Sequence, residues 1–238
     1  MNALPACCTP LLDHWPLPRP LAGVRLISTR FDPALLTADD FTLTGIPRPR
    51  GVDKRQAEFL AGRLCAHAAL HQLTGTGTVP AVGEDRAPQW PGGISGSITH
   101  SHGWAAAVVA RHADWRGLGL DMERLLGAER ANRLAGEILT PAELRRLAQQ
   151  SAERQARLVT LTFSLKESLF KALYPLVHKR FYFEHAELLE CSDDGSARLR
   201  LLIDLSPEWH SGRELEGQFS LFDGSLLSLV AVPSNQGE

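Results

Sequence analysis

The sequence predicts an α+β fold made of two halves. In each half, a long helical pattern is followed by short strands that turns connect, and this order favours α+β over a doubly wound parallel sheet. A turn at Asp114-Trp-Arg-Gly117 separates the halves, so we expect one subdomain over residues 1–116 and another over 117–238. The chain has 238 residues, 44% of them apolar, which is enough to build a core in each half.

The first half begins with a proline-rich arm. Residues 1–20 contain five prolines and no apolar periodicity, so we expect an extended segment. Apolar alternation and helical periodicity predict the elements that follow. They are a strand over Val24–Phe31, a short helix after Asp32, a long helix over Asp53–Leu73, and two strands, Ile94–Thr99 and Trp104–Ala110. Residues 45–51 and 80–93 are predicted loops because of their Pro and Gly content.

The second half begins with a buried strand and continues with three helices. Thr140-Pro-Ala-Glu143 has the residues of a capping box with proline at the first helical position, which marks a helix start. Asp223-Gly224 is a strong hairpin signal. The predicted elements are a strand over Leu118–Met122, helices over 129–139, 141–150 and 154–174, strands over Phe181–Glu190 and Ala197–Ile203, and two short strands within Gln218–Val232.

Charge and composition exclude several classes of function. The net charge is −2, so no global basic field indicates nucleic-acid binding. The four cysteines show neither a disulfide framework nor the spacing of a zinc site. No apolar run approaches the roughly 20 residues that a membrane helix needs. The first residues lack the basic and apolar regions of a signal peptide, so we expect a cytoplasmic location.

Three carboxylates are candidate magnesium ligands. Asp121 and Glu123 lie two residues apart on a strand and therefore point to the same side. Glu167 is carried by the helix over 154–174, with Lys166 and Lys171 beside it. Carboxylate oxygens suit Mg²⁺, and nearby lysines suit an anionic phosphate. The alternatives are a solvated strand end and a surface Glu167–Lys171 pair.

Several further residues are candidate phosphate contacts. His100 ends a strand at a tight turn, just after Thr99, and turn amides with such side chains can hold phosphate. Arg48 and Arg50 flank a proline and suit a terminal phosphate monoester. Solvated side chains would explain the same residues. Three other arginines extend the basic set: Arg55, Arg63 and Arg86.

Ordered motifs lie between residues 50 and 185: Glu58-Phe-Leu-Ala-Gly-Arg63, Pro88-Gln-Trp-Pro91, Gly96-Ser-Ile-Thr-His100, Gly119-Leu-Asp-Met-Glu123 and Phe163-Ser-Leu-Lys-Glu-Ser-Leu-Phe-Lys171. Each motif is weak alone, and together they are specific. They resemble the motifs of the 4′-phosphopantetheinyl transferases of the Sfp and enterobactin-synthetase component D type, and most closely those of a pseudomonad-like branch that serves several carrier proteins.

The resemblance implies an activity, a fold and partners. The activity is transfer of the 4′-phosphopantetheine arm of coenzyme A to a serine of an apo acyl carrier protein, or of a peptidyl or aryl carrier domain, with release of adenosine 3′,5′-bisphosphate. The fold is two similar α+β subdomains related by a pseudo-twofold, with coenzyme A and Mg²⁺ in the cleft between them. Fatty-acid or siderophore biosynthesis, a monomeric state, and no nucleic-acid or membrane partner are implied as well.

The resemblance also implies residue roles. Asp121, Glu123 and Glu167 would hold Mg²⁺, and Glu167 would be the base. Lys171 and Lys166 would lie at the phosphates. Thr99 and His100 would contact the pyrophosphate and the 3′-phosphate side, with Arg48, Arg50, Arg55, Arg63 and Arg86 lining the 3′-phosphate pocket. His178 stands where the family usually has glycine, so we expect some backbone strain there.

Two other classes of function remain open at this point. One is a coenzyme A or carrier-protein binding module without transfer activity, and the other is a magnesium-dependent phosphodiesterase. All three carboxylates and Lys171 are present, which argues against the inactive module. No pairs of His or Asp indicate a second metal, which argues against the phosphodiesterase. The stretch Arg124–Arg146 offers arginines for an acidic carrier helix, and solvation explains them nearly as well.

Overall fold

The structure, a computed structural model, describes residues 4–234 and divides into two units. The first unit contains residues 4–15 and Leu21–Arg116 together with Ser234, and the second contains Pro16–Pro20 and Gly117–Pro233. The main change of unit along the chain comes after Arg116. The short exchanged segments show that each unit also includes chain from the other half of the sequence.

The first unit packs one long helix against an antiparallel sheet. The sheet has the strand order β1-β2-β6-β5, and β3 pairs with β4 in a separate small hairpin. The elements are β1 (Leu12–Asp13), β2 (Arg25–Arg30), a 3-10 turn (Pro33–Leu35), α1 (Ala38–Thr44), α2 (Asp53–Thr74), β3 (Ala81–Val82), β4 (Pro88–Gln89), β5 (Ile94–Ser101) and β6 (Trp104–Arg111).

Small residues let α2 lie close to the sheet of its unit. Ala57, Ala61 and Ala69 on α2 are fully buried. Ala105 and Ala107 on β6 are also fully buried and belong to the same two core clusters as these alanines. Alanine keeps a high helix propensity while it takes little space. The helix can therefore be buried around most of its circumference and still pack at close range.

The second unit repeats this design with a larger sheet. Its five strands have the order β7-β11-β10-β9-β8. The elements are β7 (Trp115–Arg124), α3 (Ala128–Ile138), α4 (Pro141–Leu147), α5 (Ala152–Val177), a 3-10 turn (Phe183–His185), β8 (Ala186–Cys191), β9 (Ser196–Leu201), β10 (Glu214–Phe222) and β11 (Ser225–Pro233).

A leucine stripe fixes α5 on that sheet. The stripe consists of leucines four residues apart, all of them buried: Leu161, Leu165, Leu169 and Leu173. They form one core cluster with Leu199 on β9 and with Leu226 and Val230 on β11. Full burial of a leucine side chain contributes about 2 kcal/mol. The stripe therefore anchors α5 on the sheet of the second unit.

The two units share one connection pattern. In the first, β2 precedes the long helix α2, and the hairpin β5–β6 follows it, with β6 paired to β2. In the second, β7 precedes the long helix α5, and the hairpin β10–β11 closes the unit, with β11 next to β7. Each half thus has a strand, a long helix and a returning hairpin, and the α+β prediction is confirmed.

The structure corrects several predicted elements. The strand expected from Phe181 begins at Ala186, because Phe183–His185 forms a 3-10 turn first. Within the predicted loop 80–93, the short strands β3 and β4 pair. The short helix predicted after Asp32 is the 3-10 turn Pro33–Leu35, with Asp32 as its N-cap. Helix α1, which follows it, was not predicted, and α4 ends at Leu147 rather than near residue 150. The strands of the last hairpin have nine residues each and are longer than expected.

Two turn predictions agree with the backbone angles. Asp223 and Gly224 both have positive φ, 51° and 69°, as a tight hairpin with the right-handed strand twist requires. His178 has φ 50° at the end of α5, in the left-handed region that glycine occupies most easily.

Among the described residues, no helix combines the length and the apolar character that crossing a membrane would need.

The approach of β7 to α5 positions the rest of the second unit. Gly117 and Gly119 lie on the strand face that also carries Asp121 and Glu123. A Cβ atom on Gly119 would lie 1.8 Å from the carbonyl oxygen of Ser168, and one on Gly117 would lie 2.4 Å from that of Ala172. Only glycine fits at either position, so the carboxylates that follow are brought directly against α5.

This close contact makes Gly119→Ala strongly destabilising. The added methyl group meets helix backbone, which cannot rotate away, so we expect the free energy of unfolding to fall by about 3 kcal/mol or more. Denaturant unfolding followed by circular dichroism measures the loss. Gly136→Ala is the matched control, because Gly136 lies in α3 and no atom is within 4 Å of the position that an added methyl group would take; it should gain about 0.5–1 kcal/mol. Equal stability of the two variants would contradict the close packing.

Candidate active site

An acidic cluster lies where β7 ends against α5. Asp121 is buried, and its Oδ1 atom is 2.7 Å from the Nζ atom of Lys171. Its Oδ2 atom accepts a hydrogen bond of 2.8 Å from the hydroxyl of Ser164. Lys171 also donates to the carbonyl oxygen of Leu120 at 3.0 Å. The predicted candidates Asp121 and Lys171 are therefore in direct contact, and helix α5 supplies both partners of the carboxylate.

The other two carboxylates belong to the same electrostatic group. Burial raises the pKa of Glu123 to about 7, with repulsion from Asp121 adding to the effect and attraction to Lys171 opposing it. Burial also raises the pKa of Glu167, and there Lys171 opposes the shift while Asp121 adds to it. One ammonium thus faces three acidic groups. Because the cluster is short of positive charge, an added cation would favour the ionised form of its carboxyl groups.

The donor atoms of this cluster fit a hard divalent cation. All three candidate ligands offer carboxylate oxygens, the type that Mg²⁺ prefers, and the local charge is negative. Within residues 4–234, however, no three His, Cys, Asp or Glu side chains are gathered closely enough to hold a metal ion by themselves. Mg²⁺ usually takes one or two carboxylates and completes its shell with water and phosphate oxygens. The cluster suits that mode better than an all-protein cage.

The structure gives Lys166 a role away from this cluster. Its Nζ atom is buried and donates to Glu143 Oε2 at 2.7 Å, to the Ile138 carbonyl at 2.9 Å and to the Phe183 carbonyl at 2.9 Å. These acceptors use all three ammonium hydrogens. Lys166 therefore joins α5 to the helices before it and to the 3-10 turn after it, which removes it from the candidate coenzyme A contacts.

Arg63 is likewise a structural residue of the first unit. Its Nε atom donates to the carbonyl oxygen of Pro80 at 2.8 Å, and its guanidinium lies 4.7 Å from the ring centre of Phe59. Burial, together with the nearby charge of Arg55, lowers the pKa of Arg63 to about 10. Because Pro80 and Phe59 hold this buried guanidinium, Arg63 fixes the loop after α2. Arg63 was predicted to line a phosphate pocket, and the structure makes it a residue that supports the loop instead.

The remaining basic candidates are more accessible. Arg55 is exposed, and its Nη1 atom lies 3.4 Å from Nε2 of His100, whose Nδ1 is 3.8 Å from Glu58. Thr99 is buried beside His100 on β5. The contacts place an arginine and an imidazole together at the end of β5. Thr99 is the preceding residue of the strand, so its side chain points to the opposite face of the sheet from that of His100.

The loop before α2 carries the arginine pair. Arg48 is exposed, donates from Nε to Gln56 at 2.9 Å and lies 5.7 Å from the ring centre of Phe41. Arg50 is exposed two residues later. Arg86 is exposed in the turn between β3 and β4, where its φ is 71°. The structure thus leaves these three guanidinium groups at the surface of the first unit.

Some residues of the site were missed by sequence reasoning. Ser164, Ser168 and Ser228 are fully buried and connected to Asp121 by hydrogen bonds. The spacing Gly117-x-Gly-x-Asp121 also went unused as a signal of close packing. Serines one helical turn apart on a face with small residues could have indicated a contact with the adjacent strand. Their partner on β11 is 60 residues away and could not be inferred from local pattern.

Family models match both halves of the chain. The model of the 4′-phosphopantetheinyl transferase N-terminal domain matches residues 48–110, and that of the 4′-phosphopantetheinyl transferase superfamily matches residues 117–223. The first match contains α2 and the β5–β6 hairpin. The second contains all three carboxylates and Lys171. Each match therefore lies within one unit of the fold and contains all of the candidate site residues of that unit.

Individual relatives give the same result. The chain is 38% identical to 4′-phosphopantetheinyl transferase Svp of Streptomyces mobaraensis over 79% of this chain and 76% of that protein. It is 41% identical to enterobactin synthase component D of Escherichia coli O157:H7 over 64% of this chain and 72% of that protein. A solved holo-(acyl-carrier-protein) synthase of Bacillus anthracis matches at 19% identity and a TM-score of 0.37, over 51% of this chain and 99% of that one, which is too distant to carry an argument. The family models and the relatives together show that the chain belongs to the 4′-phosphopantetheinyl transferase superfamily and is a transferase of the Sfp and enterobactin-synthetase component D type.

Proposed function

We propose that the chain transfers the 4′-phosphopantetheine group of coenzyme A to the serine hydroxyl of an apo carrier protein and releases adenosine 3′,5′-bisphosphate. The observation that carries the proposal is the contact between Asp121 and Lys171, with Glu123 and Glu167 beside them, in a chain of this family. Transfer between two oxygen atoms at phosphorus depends mainly on alignment and charge neutralisation. A cluster of carboxylates and one ammonium is suited to both tasks.

Glu167 acts as the general base in this proposal. The serine hydroxyl of the carrier must lose its proton as its oxygen attacks the phosphorus next to the pantetheine arm. Burial raises the pKa of Glu167, so its carboxylate is a stronger proton acceptor than an exposed glutamate, and Lys171 limits the shift. The bond from that phosphorus to the bridging oxygen breaks, and the electron pair leaves with adenosine 3′,5′-bisphosphate.

Asp121, Glu123 and Glu167 are the proposed ligands of Mg²⁺. When bound, Mg²⁺ would neutralise charge on the pyrophosphate of coenzyme A. Asp121 is the anchor of the set, because α5 fixes both of its oxygens. Lys171 now donates to one of these oxygens, and it is the group that would support the leaving phosphate once a cation balances Asp121. The predicted contact of Lys171 with phosphate thus requires that Lys171 first release Asp121.

Residues of the first unit are proposed to bind the nucleotide part of coenzyme A. Arg48 and Arg50 would form charge-assisted hydrogen bonds with the 3′-phosphate. Arg55, His100 and Thr99 would contact the phosphates from the end of β5, where Arg55 and His100 are already paired. Arg86 would add positive charge from its turn. Arg63 supports this surface by holding the loop at Pro80.

The proposed partners are acyl, peptidyl and aryl carrier proteins, which the protein would modify as a cytoplasmic monomer. The stretch 124–146 is the proposed docking surface. In it, Arg133 pairs with Glu129 and Arg146 pairs with Glu187. Arg124, Arg130 and Arg145 are exposed and would face an acidic carrier helix.

The first test replaces the proposed base. Glu167→Gln keeps the size of the side chain but cannot accept the serine proton, so the loading rate should fall by about 10²–10⁴-fold. The measurement is the intact mass of an apo carrier after incubation with coenzyme A and Mg²⁺. The wild-type protein should add one phosphopantetheine group to the carrier.

Glu153→Gln is the matched control for this test, because Glu153 lies in the first turn of the same helix and is exposed. It should load the carrier at the wild-type rate, with both variants folded by circular dichroism. Full-rate loading by Glu167→Gln would show that Glu167 is not the base. Release of the bisphosphate by the wild-type protein without any gain in carrier mass would instead indicate hydrolysis.

The second test addresses the 3′-phosphate. In the variant Arg48→Ala/Arg50→Ala, each lost charge-assisted hydrogen bond should remove about 1.5–3 kcal/mol, which raises the KM for coenzyme A at least tenfold. Dephospho-coenzyme A lacks the 3′-phosphate and is the internal control, so its KM should change little. An equal rise of both KM values would contradict this role and would indicate a general effect on the loop.

A further inference from the structure

Three buried hydroxyl groups form a continuous path to Asp121. Ser164 and Ser168 lie one turn apart on α5, and Ser228 lies between them on β11; all three are fully buried. The Oγ atoms of Ser168 and Ser228 are 2.8 Å apart, as are those of Ser228 and Ser164. Ser164 Oγ is 2.8 Å from Asp121 Oδ2. The cluster is thus attached to a carboxylate at one end only.

The chemistry of the end group sets the direction of the two hydrogen bonds nearest to it. A carboxylate only accepts, so the single proton of Ser164 is donated to Asp121. Ser164 must then accept from Ser228, while the proton of Ser168 has two acceptors within reach, Ser228 Oγ at 2.8 Å and the Ser228 carbonyl oxygen at 3.1 Å. Hydrogen bonds ordered in this way polarise one another in the interior. The result is a directed chain of donors that ends on Oδ2 of Asp121.

We propose that Ser164 is a positioning residue that fixes the orientation of the Asp121 carboxylate for binding of the divalent cation. The Ser164 hydroxyl holds Oδ2 in the interior and leaves Oδ1, now paired with Lys171, as the oxygen offered to the site. This inference rests on the proposed function, because it assigns the support of one proposed metal ligand. Partners of this kind orient metal ligands in many proteins.

The serines lie where β7 and α5 pack closely. Glycine at position 119 brings β7 so close to the helix carbonyl of Ser168 that no larger residue fits there. Buried hydroxyls without partners would be costly, and here each hydroxyl is satisfied within the chain of bonds. An alanine at position 164 would leave Oδ2 without this donor, while Lys171 could still hold Oδ1. The carboxylate could then turn about its terminal bond.

The test measures Mn²⁺ affinity without turnover. Free Mn²⁺ is followed by electron paramagnetic resonance in a titration of the full chain with saturating coenzyme A and no carrier protein. The variants are Ser164→Ala, Ser164→Cys and Ser168→Ala. Loss of a residue that orients a metal ligand lowers metal affinity by about 10–100-fold, which is the expectation for Ser164→Ala. Ser164→Cys keeps a weaker donor and should lie between this variant and the wild type.

Ser168→Ala is the matched control, because Ser168 is as buried as Ser164 and lies on the same helix but does not touch Asp121. Thermal unfolding of the metal-free variants should show similar losses of stability for Ser164→Ala and Ser168→Ala. Their Mn²⁺ affinities should differ, with that of Ser168→Ala close to the wild type. This difference separates a positioning role from general support of the fold.

Three results would overturn the inference. If Ser164→Ala binds Mn²⁺ as tightly as the wild type, or if both alanine variants lose affinity equally, the hydroxyl does not position the ligand. If the wild-type protein itself binds no Mn²⁺ with coenzyme A, the proposed metal role of Asp121 fails and the inference fails with it. The wild-type titration therefore distinguishes a failure of the proposed function from a failure of the inference alone.

Discussion

Strand β7 and helix α5 approach so closely that their backbones touch, and the acidic cluster depends on this contact. Gly117 and Gly119 have helix carbonyl oxygens where a Cβ atom would be. Two residues further along the same strand face, Asp121 meets Ser164 and Lys171 of that helix. The leucine stripe on the sheet side of α5 holds the helix in place. The close packing of β7 on α5 thus fixes the positions of these charged groups.

Charge balance explains why the cluster can exist before any ligand arrives. Three acidic groups near one another repel, and burial makes their ionised forms more costly. Lys171 neutralises Asp121, and the raised pKa of Glu123 means that this group is partly protonated near neutral pH. A bound divalent cation would change both the pairing of Asp121 with Lys171 and the protonation of Glu123. It would balance Asp121 without the ammonium and favour the ionised form of the neighbouring carboxyls, which frees Lys171 to meet phosphate.

Local signals predicted much of the fold and part of the site. The hairpin at Asp223-Gly224 and the capping box at Thr140 follow from residues adjacent in sequence, and so does the shared direction of Asp121 and Glu123. Lys166 was misassigned because its partner Glu143 is 23 residues away, and nothing near Lys166 indicates that it is buried. Helix α1 has seven residues, too few to show a period. Local patterns cannot specify partners that are distant in sequence.

The central claim is that Asp121 exchanges the ammonium of Lys171 for a divalent cation when coenzyme A is bound. A crystal structure with coenzyme A and Mn²⁺, analysed by anomalous diffraction at the manganese edge, measures this directly. The account predicts an anomalous peak about 2 Å from an oxygen of Asp121. It also predicts that the 2.7 Å contact between Lys171 and Asp121 is broken. An intact contact, with no anomalous peak beside Asp121, would contradict the account.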